Sequence, residues 1–225
     1  MLWIAAIVPA LIGLWIVYRL DRRQEPPLLV LKLFALGALT VLPAGLLEKM
    51  LLDGYSATPD APVGYLASLI TAFFIAGTVE EAGKGIVFYR FVYKKAFFDE
   101  PYDAIVYAVA VSLGFAVVEN VLYVMSSGLA TAFVRAFTAI PGHLMFGIVM
   151  GSEFARARFE QGNIARAFVI PMLLHGTYDA FALAQGFIAN ALLIAYLMWL
   201  VRFTYFKIVS LRQPTSRQTV VDMGS

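Results

Sequence analysis

Apolar residues in this chain do not alternate with polar ones. They run together in seven stretches long enough to cross a bilayer, and the charges gather between them. The first run, to Tyr18, carries no charge, and Arg19, Asp21, Arg22 and Arg23 follow at once. Positive charge after the apolar run reads as an uncleaved first helix with its N-terminus outside, since a signal peptide carries it before. The second stretch, about 28–52, is entered through Glu25-Pro26-Pro27, where prolines can start a helix but not continue one. A polar, proline-containing loop is expected at 53–62. The remaining spans are predicted at about 63–89, 103–125, 131–155, 164–184 and 187–206. Residues 1–211 then make one helical membrane domain. The polar composition of 212–225 predicts a disordered cytoplasmic tail.

Composition agrees with this pattern. Of 225 residues, 61% are hydrophobic and only 14% charged, with a mean hydropathy of +0.79. Soluble domains carry about 45–50% apolar and about 25% charged residues. The spans place Arg19, Arg22, Arg23, Lys32, Arg90, Lys94, Lys95, Arg156, Arg158, Arg166, Arg202, Lys207, Arg212 and Arg217 on one side and only Lys49 and Arg135 on the other, with Lys84 inside a span. The positive-inside rule then puts the N-terminus outside and the C-terminus in the cytoplasm. A net charge of +2, thinly spread, forms no basic face for nucleic acid. The absence of cysteine excludes a disulfide framework, thiolate metal sites and a cysteine nucleophile. The expected fold class is an all-α polytopic membrane protein of about seven transmembrane helices.

Function must then lie in what the spans keep inside the bilayer. Glu80, Glu81 and Lys84 fall in the third span, Glu119 and Asn120 in the fourth, His143 in the fifth, and His175 and Asp179 in the sixth. Each charged residue at the centre of a span costs about 3 kcal/mol on insertion scales. One such residue reads as readily as helix–helix glue, but several on four consecutive helices favour a functional site. At about 1.5 Å rise per residue, Glu80, His143 and His175 come to one level near the midplane. Glu119 lies nearer the outer face, which predicts an extracytoplasmic opening to water. Glu80 and Lys84 share a face at i,i+4, whereas Glu81 is rotated by about 100°, so only one glutamate is expected to point directly at the site. His175 and Asp179 are also i,i+4, the spacing at which a carboxylate orients an imidazole.

The chain has no HExxH zincin motif and no GxSxG nucleophile elbow. A glutamate beside a histidine can deprotonate water for attack on a carbonyl. A second histidine and an amide can donate to the oxyanion that develops. The same Glu, His, His and Asp could equally ligate a divalent metal, and residue types alone do not separate the two.

The run Phe98-Asp99-Glu100-Pro101-Tyr102-Asp103-Ala104-Ile105-Val106-Tyr107, continuing through Leu113-Gly114-Phe115-Ala116 to Glu119-Asn120, resembles the PrsW family of bacterial membrane proteases. So do Glu80-Glu81, Ile140-Pro141-Gly142-His143, Leu174-His175-Gly176-Thr177-Tyr178-Asp179, and the Asp21-Arg22-Arg23-Gln24-Glu25-Pro26 region after the first span. The likeness extends to about Arg212. It implies a glutamic-type intramembrane protease of the bacterial cell membrane, related to the CAAX-prenyl endopeptidases and bacteriocin-processing enzymes. It also implies site-1 cleavage of a membrane-anchored anti-sigma factor. Carried over, Glu80 and Glu81 match the double glutamate, His143 the second motif, and His175 with Asp179 the third. Lys84 stands three residues after Glu81, where the broader group usually has an arginine four after. Asp179 stands where the CAAX enzymes often have asparagine, and both departures argue against prenyl-protein substrates.

Together these readings predict a peptidase acting on a single-span membrane protein within the lipid bilayer, at its extracytoplasmic side. Glu80 is the preferred base, Glu81, His143 and His175 complete the catalytic set, and Asp179, Glu119, Asn120 and Lys84 support it. No cofactor is expected, with zinc or another divalent metal left open. The alternative from another class is a proton-coupled transporter, which also uses intramembrane Glu and His residues.

Overall fold

The computed structural model describes residues 2–58, 63–184 and 186–211, and among these every regular element is helical. Helix α1 spans Leu2–Leu20 and α2 spans Pro27–Ser56, with Pro26 and Pro27 at its start. The third segment, Tyr65–Tyr93, is compound. It comprises α3 (Tyr65–Ile70), a π-helical stretch Thr71–Gly77, α4 (Thr78–Phe88) and a second π-helical stretch Tyr89–Tyr93. Then follow α5 (Asp103–Phe137), α6 (Ala139–Phe159), α7 (Arg166–Ala184) and α8 (Phe187–Leu211). Five helical stretches are long and apolar enough to cross a membrane: Pro27–Ser56, Tyr65–Tyr93, Asp103–Phe159, Arg166–Ala184 and Phe187–Leu211. Ile7–Leu20 is a shorter apolar helix.

The stretch Asp103–Phe159 has 57 residues, which as a straight helix would reach about 85 Å, far beyond the roughly 30 Å hydrocarbon layer. It folds back on itself instead. Gly128, at φ 81 and ψ −169, and Thr138, at φ −122 and ψ −65, leave helical geometry. Beyond them α6 returns antiparallel to α5, with Gly151 beside Ala104 and Gly147 beside Val109. The span expected at 131–155 is therefore divided, its first turns closing α5 and the rest beginning at Ala139. The loop expected from residue 53 also starts later, because α2 runs to Ser56 with Lys49 and Asp53 paired at 2.8 Å one turn apart. The tail 212–225 lies outside the described residues.

The first half of α5 is the axis of the bundle. Every residue from Asp103 to Val117 is buried, and α1, α2 and α6 surround it. Contact with α2 is made backbone to backbone: a Cβ on Gly37 would stand 2.0 Å from the Val111 carbonyl oxygen, and one on Gly114 1.9 Å from that of Phe34. Small residues allow this approach, which maximises packing where lipid provides no hydrophobic drive. Leu28, Leu31, Leu42, Phe74, Ile188 and Met198 are exposed around the outside, the arrangement a bilayer solvates and water does not. α7 packs against the first π-helical stretch, α4 and α6.

Candidate active site

The polar residues of four spans meet at one place. On α4 the Lys84 ammonium lies 3.1 Å from Glu80 Oε2 and 2.7 Å from Glu81 Oε1. It reaches across to α6, 3.1 Å from His143 Nδ1. On α7 His175 Nδ1 stands 2.9 Å from Glu81 Oε1 and 3.8 Å from Glu80 Oε2, and its Nε2 stands 3.5 Å from Asp179 Oδ2. The two imidazoles meet edge to face with centroids 5.1 Å apart. Phe146 stacks on His175, and Phe115 lies 4.1 Å beneath the Lys84 ammonium.

Local structure explains this convergence. The π-helical Thr71–Gly77 stretch precedes the glutamates and resets their rotation about the helix, a device frequent at functional sites. Gly77 lets this segment press on α7, since a Cβ there would stand 2.9 Å from the Gly176 nitrogen. Both glutamates consequently face the site. The expectation that only one would do so fails because Lys84 is i+4 from Glu80 and i+3 from Glu81, and both spacings are same-face neighbours. The two differ in access: the Glu80 side chain is 7% exposed and that of Glu81 0%.

Hydrogen-bond chemistry fixes one tautomer. An ammonium has no acceptor, so His143 Nδ1 must accept from Lys84, and the proton sits on Nε2. That Nε2–H donates to Glu119 Oε2 at 2.9 Å. Glu119 is in turn held by Arg135 at 2.8 Å, and Arg135 Nε donates to Asn120 Oδ1 at 2.7 Å. The Ser112 hydroxyl donates to the His143 carbonyl and ties α6 to α5. All eight residues singled out in the sequence therefore belong to one connected group. One member, Arg135, was not singled out, and neither was Glu48 nearby. Arg135 entered only the charge count, and Glu48 of α2 was passed over, although its Oε1 is buried without a partner and it feels the charges of Glu119, Lys84, His175 and Asp179. Each is an ionisable residue inside a predicted span, the same signal that marked the others.

A family profile described as "PrsW family intramembrane metalloprotease" matches residues 25–206. The chain belongs to the PrsW family. It is 36% identical over 204 residues to Protease PrsW of Oceanobacillus iheyensis, covering 88% of this chain and 90% of that one. It is 34% identical to Protease PrsW of Clostridioides difficile over 208 residues, 88% of this chain and 85% of that one. With Protease PrsW of Bacillus subtilis the identity is 36% over 181 residues, 78% of this chain and 79% of that one. No solved structure matches the chain. This PrsW-family protein is a membrane-embedded peptidase and a multi-pass protein of the bacterial membrane, which sets the transporter reading aside.

The family description raises the question of a metal. Glu80, Glu81, His143 and His175 each offer a donor atom, all within 4.8 Å of one another, and these donor types suit zinc. Their arrangement does not suit it while Lys84 is charged. The ammonium already contacts Glu80 Oε2, Glu81 Oε1 and His143 Nδ1. A divalent ion bound at about 2.0–2.2 Å to those same atoms would lie roughly 2–3 Å from the ammonium, cation against cation. Metal and charged lysine are competitors for one donor set.

Proposed function

We propose that this PrsW-family protein is a glutamate-dependent, metal-independent endopeptidase performing site-1 cleavage of a single-span membrane protein, an anti-sigma factor, on its extracytoplasmic side. The observation that carries the reading is the ammonium of Lys84 at the centre of the donor set, with Glu80 as the more accessible of its two glutamates. In this reading the chain crosses the membrane seven times, with the N-terminus outside and the C-terminus in the cytoplasm, as the distribution of Lys and Arg supports.

The roles follow from position. Glu80 takes a proton from water, and the hydroxide forms the new C–O bond at the scissile carbonyl. His143, whose Nδ1 accepts from Lys84 and whose Nε2–H donates to Glu119, holds the ammonium in place beside Glu80. His175, whose Nδ1–H donates to Glu81, offers its Nε2–H to the oxyanion of the tetrahedral intermediate, with Asp179 3.5 Å away keeping the ring oriented. The C–N bond then breaks as Glu80 returns its proton to the leaving amine. Glu81 is the fixed anion that positions both Lys84 and His175.

The experiment is cleavage of a single-span peptide by purified protein in detergent. Glu80→Gln should abolish turnover while membrane insertion survives. Turnover should persist after dialysis against a strong chelator, with no stoichiometric zinc by elemental analysis. Full activity in Glu80→Gln, or chelator-sensitive cleavage restored by zinc, defeats the proposal.

A further inference from the structure

A second group of ionisable side chains is buried about 24 Å from Glu119 along α5. It belongs to the two sequence runs that the Lys84 site does not use. Asp21 and Glu25 lie in the link between α1 and α2, and Asp103 is the first residue of α5. Each offers a carboxylate oxygen, the three oxygens lie within 4.8 Å of one another, and the residues are 6%, 8% and 0% exposed. Their hydrogen bonds engage one oxygen apiece. The Arg23 amide donates to Asp21 Oδ1, the Asp99 and Glu100 amides donate to Asp103 Oδ2 at 3.1 and 2.7 Å, and the Tyr107 hydroxyl donates to Glu25 Oε2.

Asp21 Oδ2 and Asp103 Oδ1 are buried and accept nothing. Among the described residues no lysine, arginine or histidine pairs with any of the three, since the nearby Arg23 turns outward to Glu100. Three carboxyls removed from water without a compensating charge are costly.

We propose that Asp21, Glu25 and Asp103 form a binding site for a hard divalent cation, Ca2+ or Mg2+, that ties the α1–α2 link to the start of α5. All three donors are oxygens, the ligands these ions take, and no nitrogen or sulfur is present to select zinc. The spacing fits. Oxygens on opposite sides of Ca2+ stand about 4.8 Å apart and about 4.2 Å around Mg2+, with water filling the remaining positions. Asp21 Oδ2 and Asp103 Oδ1 supply two ligands and Glu25 a third, while Tyr107 holds the Glu25 carboxylate in place from outside.

The test uses full-length protein in a neutral detergent with Tb3+ as the probe, because tyrosine-sensitised emission reports an oxygen site beside Tyr107. Saturable emission near one ion per chain is expected, displaced by Ca2+ or by Mg2+, and the more effective competitor names the ion. Asp103→Asn and Glu25→Gln should each lose the emission, whereas His143→Ala, which alters the other donor set, should keep it. Should the variants fold poorly, the wild-type protein still decides the matter. Its Tm should rise by about 5–10 °C at roughly 100-fold excess of the cation over its Kd. No saturable emission, emission lost in His143→Ala but kept in Asp103→Asn, or a Tm indifferent to both cations overturns the assignment.

Discussion

Replacing Lys84 with methionine keeps the length of the side chain and removes its charge. The wild-type ammonium is 0% exposed and has three partners, Glu80, Glu81 and His143, at 3.1, 2.7 and 3.1 Å. Its loss leaves two buried carboxylates without their cation and His143 Nδ1 without a donor. Removing one partner of a buried ion pair costs about 3–5 kcal/mol. Three hydrogen bonds to charged groups, at about 1.5–3 kcal/mol each, would sum higher. The smaller figure is the better one, because the glutamates can take up protons in the variant. At about 2–4 °C per kcal/mol for a chain of this size, Tm should fall by roughly 10 °C in detergent. The same substitution vacates the centre of the donor set, so Lys84→Met should bind zinc and regain part of its Tm, whereas wild-type protein should do neither. Thermal unfolding with and without zinc, paired with elemental analysis, measures both effects. A fall smaller than about 2 °C, or equal zinc binding by both proteins, would refute the idea that Lys84 holds the cation position.

His175→Ala should abolish cleavage, while Asp179→Asn should keep part of it, because an amide oxygen can still accept from the imidazole; equal loss in an initial-rate assay would remove the orienting role. Arg135→Ala should lower kcat by about 10–100-fold with little change in KM, through release of Glu119 and thereby His143. Arg135→Lys should rescue it only in part, since an ammonium cannot fork between Glu119 and Asn120; full rescue would show that charge alone suffices. In intact cells an impermeant maleimide should label cysteine at Ser127 and not at Ala96, and the opposite pattern would invert the orientation.

The helices were legible because their apolar runs are long and their charges gather between them. The site was legible because carboxylates and imidazoles are expensive inside a span. What stayed hidden arises from geometry that periodicity does not record. The break at Gly128 lay in the visible gap Ser126-Ser127-Gly128, but the one at Thr138 left no polar gap, so the expected fifth span began several residues too early. The convergence of Glu80 and Glu81 depends on Lys84 lying i+4 from one and i+3 from the other, which the rotation of about 100° between the two glutamates does not by itself reveal. Arg135 was visible as a charge but was spent on orientation, and Glu48 sat close enough to the end of its span to pass as a flank.

The π-helical stretch ahead of the glutamates makes the winding of that segment matter more than its composition. Thr71–Gly77 carries the chain with wider turns than an α-helix, and Thr78 Oγ1 donates to the Phe73 carbonyl at 2.6 Å, five residues back. A π turn holds about one residue more than an α turn, so relaxation to ordinary α-helix at unchanged length would pass that residue downstream. That would swing everything after it by about 100° and draw it along the axis by about 1.5 Å. Glu80, Glu81 and Lys84 would then turn away from His175. Apolar exchanges that keep the wide turns leave this phase untouched, whereas loss of those turns dismantles the site without altering any residue in it.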